Sequence, residues 1–251
     1  MSLTKGQEDL KEIRNSEQLF VTLIMQCFMV LHSFLKDIAM KLYWVKTRWF
    51  IKKLFSGYIW SLPQNQKTVY LTFDDGPIPE ITGWVLGILR QHGIKATFFC
   101  IGDNIEKHPD VFQKVIDGGH NIGNHTFNHC NGWNTEDKAY LENAEACRLS
   151  ITKRTSADVK FFRPPYGKIK ATQAKAIKRL GYKIIMWDVL SADFDTTITP
   201  EQCLQNVIKN AANGSVIIFH DSIKASANLK YALPKAIEYL KENGFRFGTI
   251  D

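Results

Sequence analysis

From Thr68 onward, short apolar runs alternate with longer amphipathic stretches. The β-rich runs are Thr68–Asp74, Ala96–Gly102, Asn121–His125, Phe161–Arg163, Tyr182–Asp188, Ser215–His220 and Phe245–Ile250. They are short and apolar at successive positions, the pattern of strands buried on both faces. Between them the spacing predicts helices over Glu80–His92, Asp103–Asp117, Lys170–Leu180 and Tyr231–Glu242. Two more helices are opened by Thr135-Glu-Asp-Lys and by Thr199-Pro200-Glu201. Gly93, Gly118-Gly119 and Gly181 follow helix ends, Thr135 and Thr199 are candidate N-caps, and Pro200 suits the first helical position. Seven strands alternating with helices predict an α/β fold of parallel strands, and burial on both faces fits a barrel wrapped by helices.

Upstream the pattern changes. Leu19–Leu35 is a 17-residue stretch without Asp, Glu, Lys or Arg, at the short end of what a membrane-spanning helix needs. It lacks the basic flank and small-residue cleavage site of a signal peptide. The following segment, Met40–Phe55, mixes Trp, Tyr and Phe with Lys and Arg in the manner of an interfacial membrane segment. The expectation is a helical N-terminal appendage over residues 1–60, with membrane contact through residues 19–55, and a main domain over 61–251. If Leu19–Leu35 spans, the basic flank after it puts the main domain on the cytoplasmic side. The alternative is a helix that packs on the domain and shows a basic face to water.

Charge sharpens this division. The chain carries a formal net charge of +7. Much of it comes from Lys36, Lys41, Lys46, Arg48, Lys52 and Lys53, opposed there only by Asp37. A nucleic-acid partner is not expected, because phosphate binding needs a basic face on the fold itself. The five cysteines, Cys27, Cys100, Cys130, Cys147 and Cys203, form no C-x-x-C pair and read as buried small residues or free thiols.

The chemistry-bearing residues fall at the C-terminal ends of the predicted strands, which in a parallel barrel converge on one rim. Asp74-Asp75-Gly-Pro follows the first strand. Alone it is a good turn, but adjacent carboxylates repel, and the pair makes sense if one binds a cation and the other acts as a base. His125 and His129 are four apart, a spacing that lets two imidazoles on one helical turn grip one metal ion, although such pairs also occur as solvent-facing residues. A carboxylate from another strand would complete a His-His-Asp set with open positions. Arg163, before Pro-Pro-Tyr-Gly, could orient a carboxylate, and that stiff turn could aim backbone N–H groups at an oxyanion. His220 is a candidate general acid, and Trp187-Asp188-Val-Leu-Ser-Ala-Asp193 supplies carboxylates to orient it and raise its pKa.

Together these segments resemble the motifs of the NodB-homology polysaccharide deacetylases, carbohydrate esterase family 4. Thr72-Phe-Asp-Asp-Gly-Pro77, His125-Thr-Phe-Asn-His129, Arg163-Pro-Pro-Tyr-Gly167, Trp187–Phe194 and Ile218-Phe-His220 match the five motifs in family order, over about residues 67–250. The resemblance implies a distorted (β/α)7-type barrel and a hydrolase that removes N-acetyl groups from peptidoglycan- or chitin-like sugars. It implies a divalent metal, most often zinc, on Asp75, His125 and His129. Asp74 would be the base, held by Arg163, and Tyr166 would give its backbone N–H to the oxyanion hole. His220 would be the acid, and Ile218 would line the acetyl pocket, with Trp187 and Asp193 also toward the substrate. The fourth motif departs from the family pattern at Leu190 and Phe194, and the fifth at Ile218. The departures leave Asp188 and Asp193 as alternative partners for His220. Competing readings are a metal amidohydrolase acting on an acylated small molecule and an inactive carbohydrate-binding relative.

Overall fold

The computed structural model describes residues 43–156 and 158–251. Leu19–Leu35 lies outside the described residues. Trp44–Asp251 forms one compact unit. Its elements begin with α1 (Trp49–Leu54), β1 (Thr68–Asp74), α2 (Pro79–His92), β2 (Thr97–Cys100), α3 (Gly102–Lys107), α4 (Pro109–Asp117) and β3 (Asn121–Asn124). There follow α5 (Asp137–Thr152), β4 (Phe161–Phe162), α6 (Ala171–Arg179), β5 (Lys183–Ile184), β6 (Val189–Leu190), α7 (Pro200–Ile208), β7 (Val216–His220), α8 (Ser226–Glu242) and β8 (Arg246–Phe247). No described helix is long and apolar enough to cross a membrane.

The eight strands are all parallel, in the order β5-β4-β3-β2-β1-β7-β6, with β8 also on β1. The two edge strands, β5 and β6, are joined by only Ile185–Asp188. Such a linker reaches at most roughly 18 Å, so the sheet must curl until its edges approach. Residues 44–62 close the remaining seam. Ile59 donates to Ile184 and accepts from Met186, while Thr47 and Val45 bond Asp188 and Leu190 through the backbone. Lys46 and Lys52 reach the buried Asp188 carboxylate, Lys46 at 2.6 Å. The interfacial-looking segment thus spends two of its lysines, both half-buried, on a carboxylate of the main domain.

Alternation along β1 sorts the core. Thr72 and Asp74 both meet Arg163, so even-numbered positions face the barrel interior. Below them Tyr70, Phe99, Phe161, Ile185 and Val216 form one buried cluster. On the outer face Phe73 stacks with Phe98 and Phe219 at 5.0 and 6.2 Å between centroids. Each fully buried ring of this kind contributes about 1.5–3 kcal/mol.

Several boundaries differ from the sequence reading, each for a local reason. The helix expected over Asp103–Asp117 breaks at His108-Pro109, because proline has no N–H to continue the ladder and keeps its predecessor out of the helical region. Thr135 does not cap α5. Its hydroxyl donates to the Asn131 carbonyl, and Glu136 takes the cap position. The last helix begins at Ser226, five residues earlier than expected, and carries Pro234 in its interior. The Tyr182–Asp188 run is only two residues of strand, and Val189–Leu190 is a strand that the sequence reading missed. Thr199 does cap α7, its hydroxyl accepting from the Gln202 N–H with Pro200 next in line.

Candidate active site

Parallel register brings the first and last motifs side by side: Asp74 is the direct neighbour of His220, and Thr72 of Ile218. Both pairs lie on the interior face at the C-terminal end of the sheet, as expected for a barrel rim. Ile218 is 2% exposed and offers only an apolar floor.

Arg163 is the most heavily bonded side chain of the site. It is fully buried, and one of its terminal nitrogens donates to Asp74 Oδ1 at 2.7 Å and to the Thr72 hydroxyl at 2.8 Å. Its remaining nitrogens donate to the Ile185 and Met186 carbonyls at 3.1 and 2.9 Å. Its guanidinium lies 4.0 Å from the centre of the Phe99 ring. That ring in turn lies across Gly123, where a Cβ would sit 2.3 Å from it. Glycine at 123 therefore lets Phe99 flatten beneath Arg163, and Arg163 fixes Asp74.

Asp75, His125 and His129 each present a ligand atom, all within 4.8 Å of one another. Asp75 Oδ1 is 3.3 Å from His129 Nε2 and 3.8 Å from His125 Nε2. It is buried with no hydrogen-bond partner, which leaves its lone pairs directed at the space among the three. His125 Nδ1–H donates to the Arg163 carbonyl at 2.7 Å, so Nε2 carries the free lone pair. Burial, with His129 nearby, lowers the His125 pKa to about 3, and burial also lowers that of His129, so both rings stay neutral as ligands require. His129 Nδ1 lies 3.0 Å from the Tyr166 hydroxyl. An orphaned carboxylate oxygen and two neutral imidazoles suit a divalent cation.

The His125–His129 pair is not on a helix, as the spacing had suggested. The chain loops, with Thr126 at φ 64° and His129 at φ 59°. Asp75, Tyr166 and Ala192 are also left-handed, and all five residues border the site. Non-glycine residues in this region carry strain of order 1–3 kcal/mol, which persists only when the surroundings fix it. Thr126 illustrates how: its hydroxyl accepts from the Cys130 N–H and its own N–H donates to Asn124.

Two carboxylates competed for His220, and the geometry assigns them differently. Asp193 accepts the His220 Nδ1–H and its backbone N–H, both at 2.7 Å, and is fully buried. It is therefore a partner of His220, not the sugar contact expected from the sequence. Burial disfavours the charged imidazole, but the Asp193 charge and hydrogen bond, with Asp75 and Asp74 beyond, outweigh it and raise the pKa to about 9. Asp188 instead meets Lys46, Lys52 and Ser215. Trp187 is half-buried, with its ring against Gly167, where a Cβ would come within 2.8 Å, so it supports the Tyr166 turn. Tyr166 itself is 60% exposed.

The sequence reading missed Thr72, Asn104 and Thr82, and gave Asp221 no role. Asn104 donates to the Asp75 carbonyl at 2.7 Å. Asp221 accepts from the Gly76 N–H and the Thr82 hydroxyl, and burial raises its pKa to about 7. A Cβ at Gly76 would lie 2.0 Å from Asp221, so glycine there lets the Asp74-Asp75 turn seat on it. The available signal was His220-Asp221 itself, two ionisable residues closing an apolar strand.

On this α/β barrel rim an Arg163-paired carboxylate and an Asp193-paired imidazole lie beside a His-His-Asp cluster able to hold a cation, the donor set that metal-assisted hydrolysis uses. The family model for polysaccharide deacetylases matches residues 61–185. The chain is 36% identical over 197 residues to a peptidoglycan-N-acetylglucosamine deacetylase of Bacillus cereus, covering 78% of this chain and 92% of that one. It is 35% identical over 166 residues to a chitooligosaccharide deacetylase of Azorhizobium caulinodans, covering 64% and 76%. A crystal structure of a peptidoglycan N-acetylglucosamine deacetylase bound to an N-oxidanyl benzamide superposes with a TM-score of 0.75 at 34% identity, covering 81% of this chain and 95% of that one. The chain belongs to the polysaccharide deacetylase family, the NodB-homology group of carbohydrate esterase family 4.

Proposed function

We propose that this chain hydrolyses the N-acetyl amide of N-acetylglucosamine units in a peptidoglycan-type glycan, releasing acetate and leaving a free amine. The observation that carries the reading is that the Asp74–Arg163 and His220–Asp193 pairs stand on neighbouring strands beside the Asp75–His125–His129 cluster. The likeness to the Bacillus cereus enzyme favours peptidoglycan over chitin-like glycans.

Asp75, His125 and His129 would hold the cation, and the ligand set favours zinc. Bound there, the cation supplies Lewis acidity toward the acetamide and acidifies water. Asp74 takes the proton from the attacking water, and Arg163 holds the carboxylate oxygen that is not needed for this. The left-handed turn at Tyr166 presents its backbone N–H to the developing oxyanion. His220, charged through Asp193, gives its proton to the departing nitrogen, without which an amide nitrogen leaves poorly. Ile218 supplies an apolar floor for the acetyl methyl. A binding-only relative needs neither proton-transfer pair.

The test is acetate release from peptidoglycan fragments and chito-oligosaccharides, with Asp74→Asn as control. Turnover by the wild type and its loss, of at least a hundredfold, in metal-loaded Asp74→Asn is expected. An active Asp74→Asn enzyme removes Asp74 from the base role.

Membrane contact is part of the same proposal. Trp44, Trp49, Phe50, Leu54 and Phe55 are exposed on and around α1, next to Arg48 and Lys53. Exposed aromatics with basic residues suit a lipid interface. Co-sedimentation with anionic vesicles should fall when Trp49 and Leu54 are both changed to Ser; unchanged binding refutes the assignment to α1.

A further inference from the structure

The turn that follows His129 carries an exposed indole, Trp133. Trp133 is 59% exposed, yet the backbone beneath it is fixed at every side. The Trp133 N–H donates to Asn131 Oδ1, and the Gly132 carbonyl accepts from the fully buried Gln173 at 2.9 Å. Lys170 reaches the Thr135 carbonyl at 2.8 Å. A Cβ at Gly132 would come within 2.6 Å of the Lys168 carbonyl, so the turn is seated directly on the 168–173 segment. The sequence anchors the turn through Gln173 and Lys170 and leaves the ring in water.

The indole also has a charged companion. Lys168 Nζ lies 5.3 Å from the Trp133 ring centre and 5.9 Å from that of Tyr166, and among the described residues it forms no ion pair. The Tyr166 ring is 4.4 Å from the ring of His129, one of the three candidate ligands. A flat apolar surface and a lone ammonium therefore stand one aromatic ring away from the reacting centre. Aromatic faces pack against the apolar faces of sugar rings, and a cation held over them pairs with an anionic substituent.

We propose that Trp133 and Lys168 form a glycan subsite that selects strands whose neighbouring sugar carries a carboxylate, as the lactyl-ether sugar of peptidoglycan does. This rests on the deacetylase reading above and names the feature of its substrate that this chain distinguishes. Trp133 supplies the platform for either kind of glycan, and Lys168 supplies the preference for the acidic one.

The test compares acetate release from a peptidoglycan tetrasaccharide, which carries the carboxylates, with release from neutral chitotetraose, both by the full metal-loaded chain. The wild type should favour the acidic tetrasaccharide in kcat/KM. Lys168→Gln should lower that ratio about fivefold, the scale of one exposed charge contact. Lys168→Glu should lower it further, and the wild-type preference should fade as salt is raised. Trp133→Ala should raise KM for both glycans about fivefold or more. Unchanged metal content and an unchanged thermal transition show that the variants are folded. An active wild type whose ratio is the same in Lys168→Gln and Lys168→Glu overturns the subsite. A folded, metal-loaded wild type that releases acetate from neither glycan overturns the deacetylase reading, and the subsite with it.

Discussion

Replacing Asp193 by Asn probes the His220 pair with the least change of shape. Asn keeps one acceptor for the two N–H groups that Asp193 now satisfies, but removes the charge. That charge is the principal force against burial in raising His220 from its ordinary 6.5 to about 9. The difference corresponds to about 3 kcal/mol of preference for the imidazolium. At pH 8 a group with a pKa of about 9 is roughly 90% protonated, whereas one at 6.5 is roughly 3% protonated. As the proposed acid, His220 donates only when protonated, so activity should fall as pH rises through its pKa. Asp193→Asn should therefore move the alkaline limb of the kcat profile down by about 2.5 pH units, with kcat about thirtyfold lower at pH 8. By the same linkage the pair stabilises the fold fully below pH 6.5 and loses that contribution as pH rises through about 9. The assay is acetate release between pH 5 and 10 at saturating substrate and fixed metal. An alkaline limb that stays in place in a folded Asp193→Asn enzyme refutes the acid role of His220.

Asp188→Asn should leave that limb unmoved, because Asp188 pairs with Lys46 and Lys52, and should lower the thermal midpoint as residues 44–62 loosen from the seam; a shifted limb would reassign the two carboxylates. Arg163→Leu should cost about 3–5 kcal/mol, seen as a fall in Tm of roughly 10 °C, because it strands the buried Asp74 carboxylate. A near-neutral effect on denaturant unfolding would show that Asp74 is not held as described. Gly123→Ala should destabilise and also lower kcat, since the methyl group displaces Phe99 from beneath Arg163; a fully active variant breaks that chain of contacts.

The α/β alternation and the five strand ends were legible because they rest on runs of apolar residues and on polar residues that interrupt them. The five motifs were legible for the same reason, and register then brought Asp74 beside His220. What stayed hidden depends on tertiary geometry. Two-residue strands such as Phe161–Phe162 and Val189–Leu190 have no period of their own and exist only by pairing. The left-handed backbone at Asp75, His129 and Tyr166 is not encoded by residue type, so a helical reading of the His125–His129 spacing was the natural error. Asp188 and Asp193 are chemically identical five residues apart, and only the fold sends one to two lysines and the other to His220. The basic cluster at 36–53 was visible, but the pairing of Lys46 and Lys52 with a buried carboxylate 142 and 136 positions away was not. The need for glycine at 123 has its cause in Phe99, a residue with no motif character.

If Asp75, His125 and His129 jointly hold one divalent cation, as proposed, elemental analysis of the purified wild type against Asp75→Ala and His125→Ala will show it. One zinc per chain in the wild type, and loss of that metal in both variants with the fold intact, is the expected result. A metal-free wild type after incubation with zinc, or variants that retain the full equivalent, would contradict it.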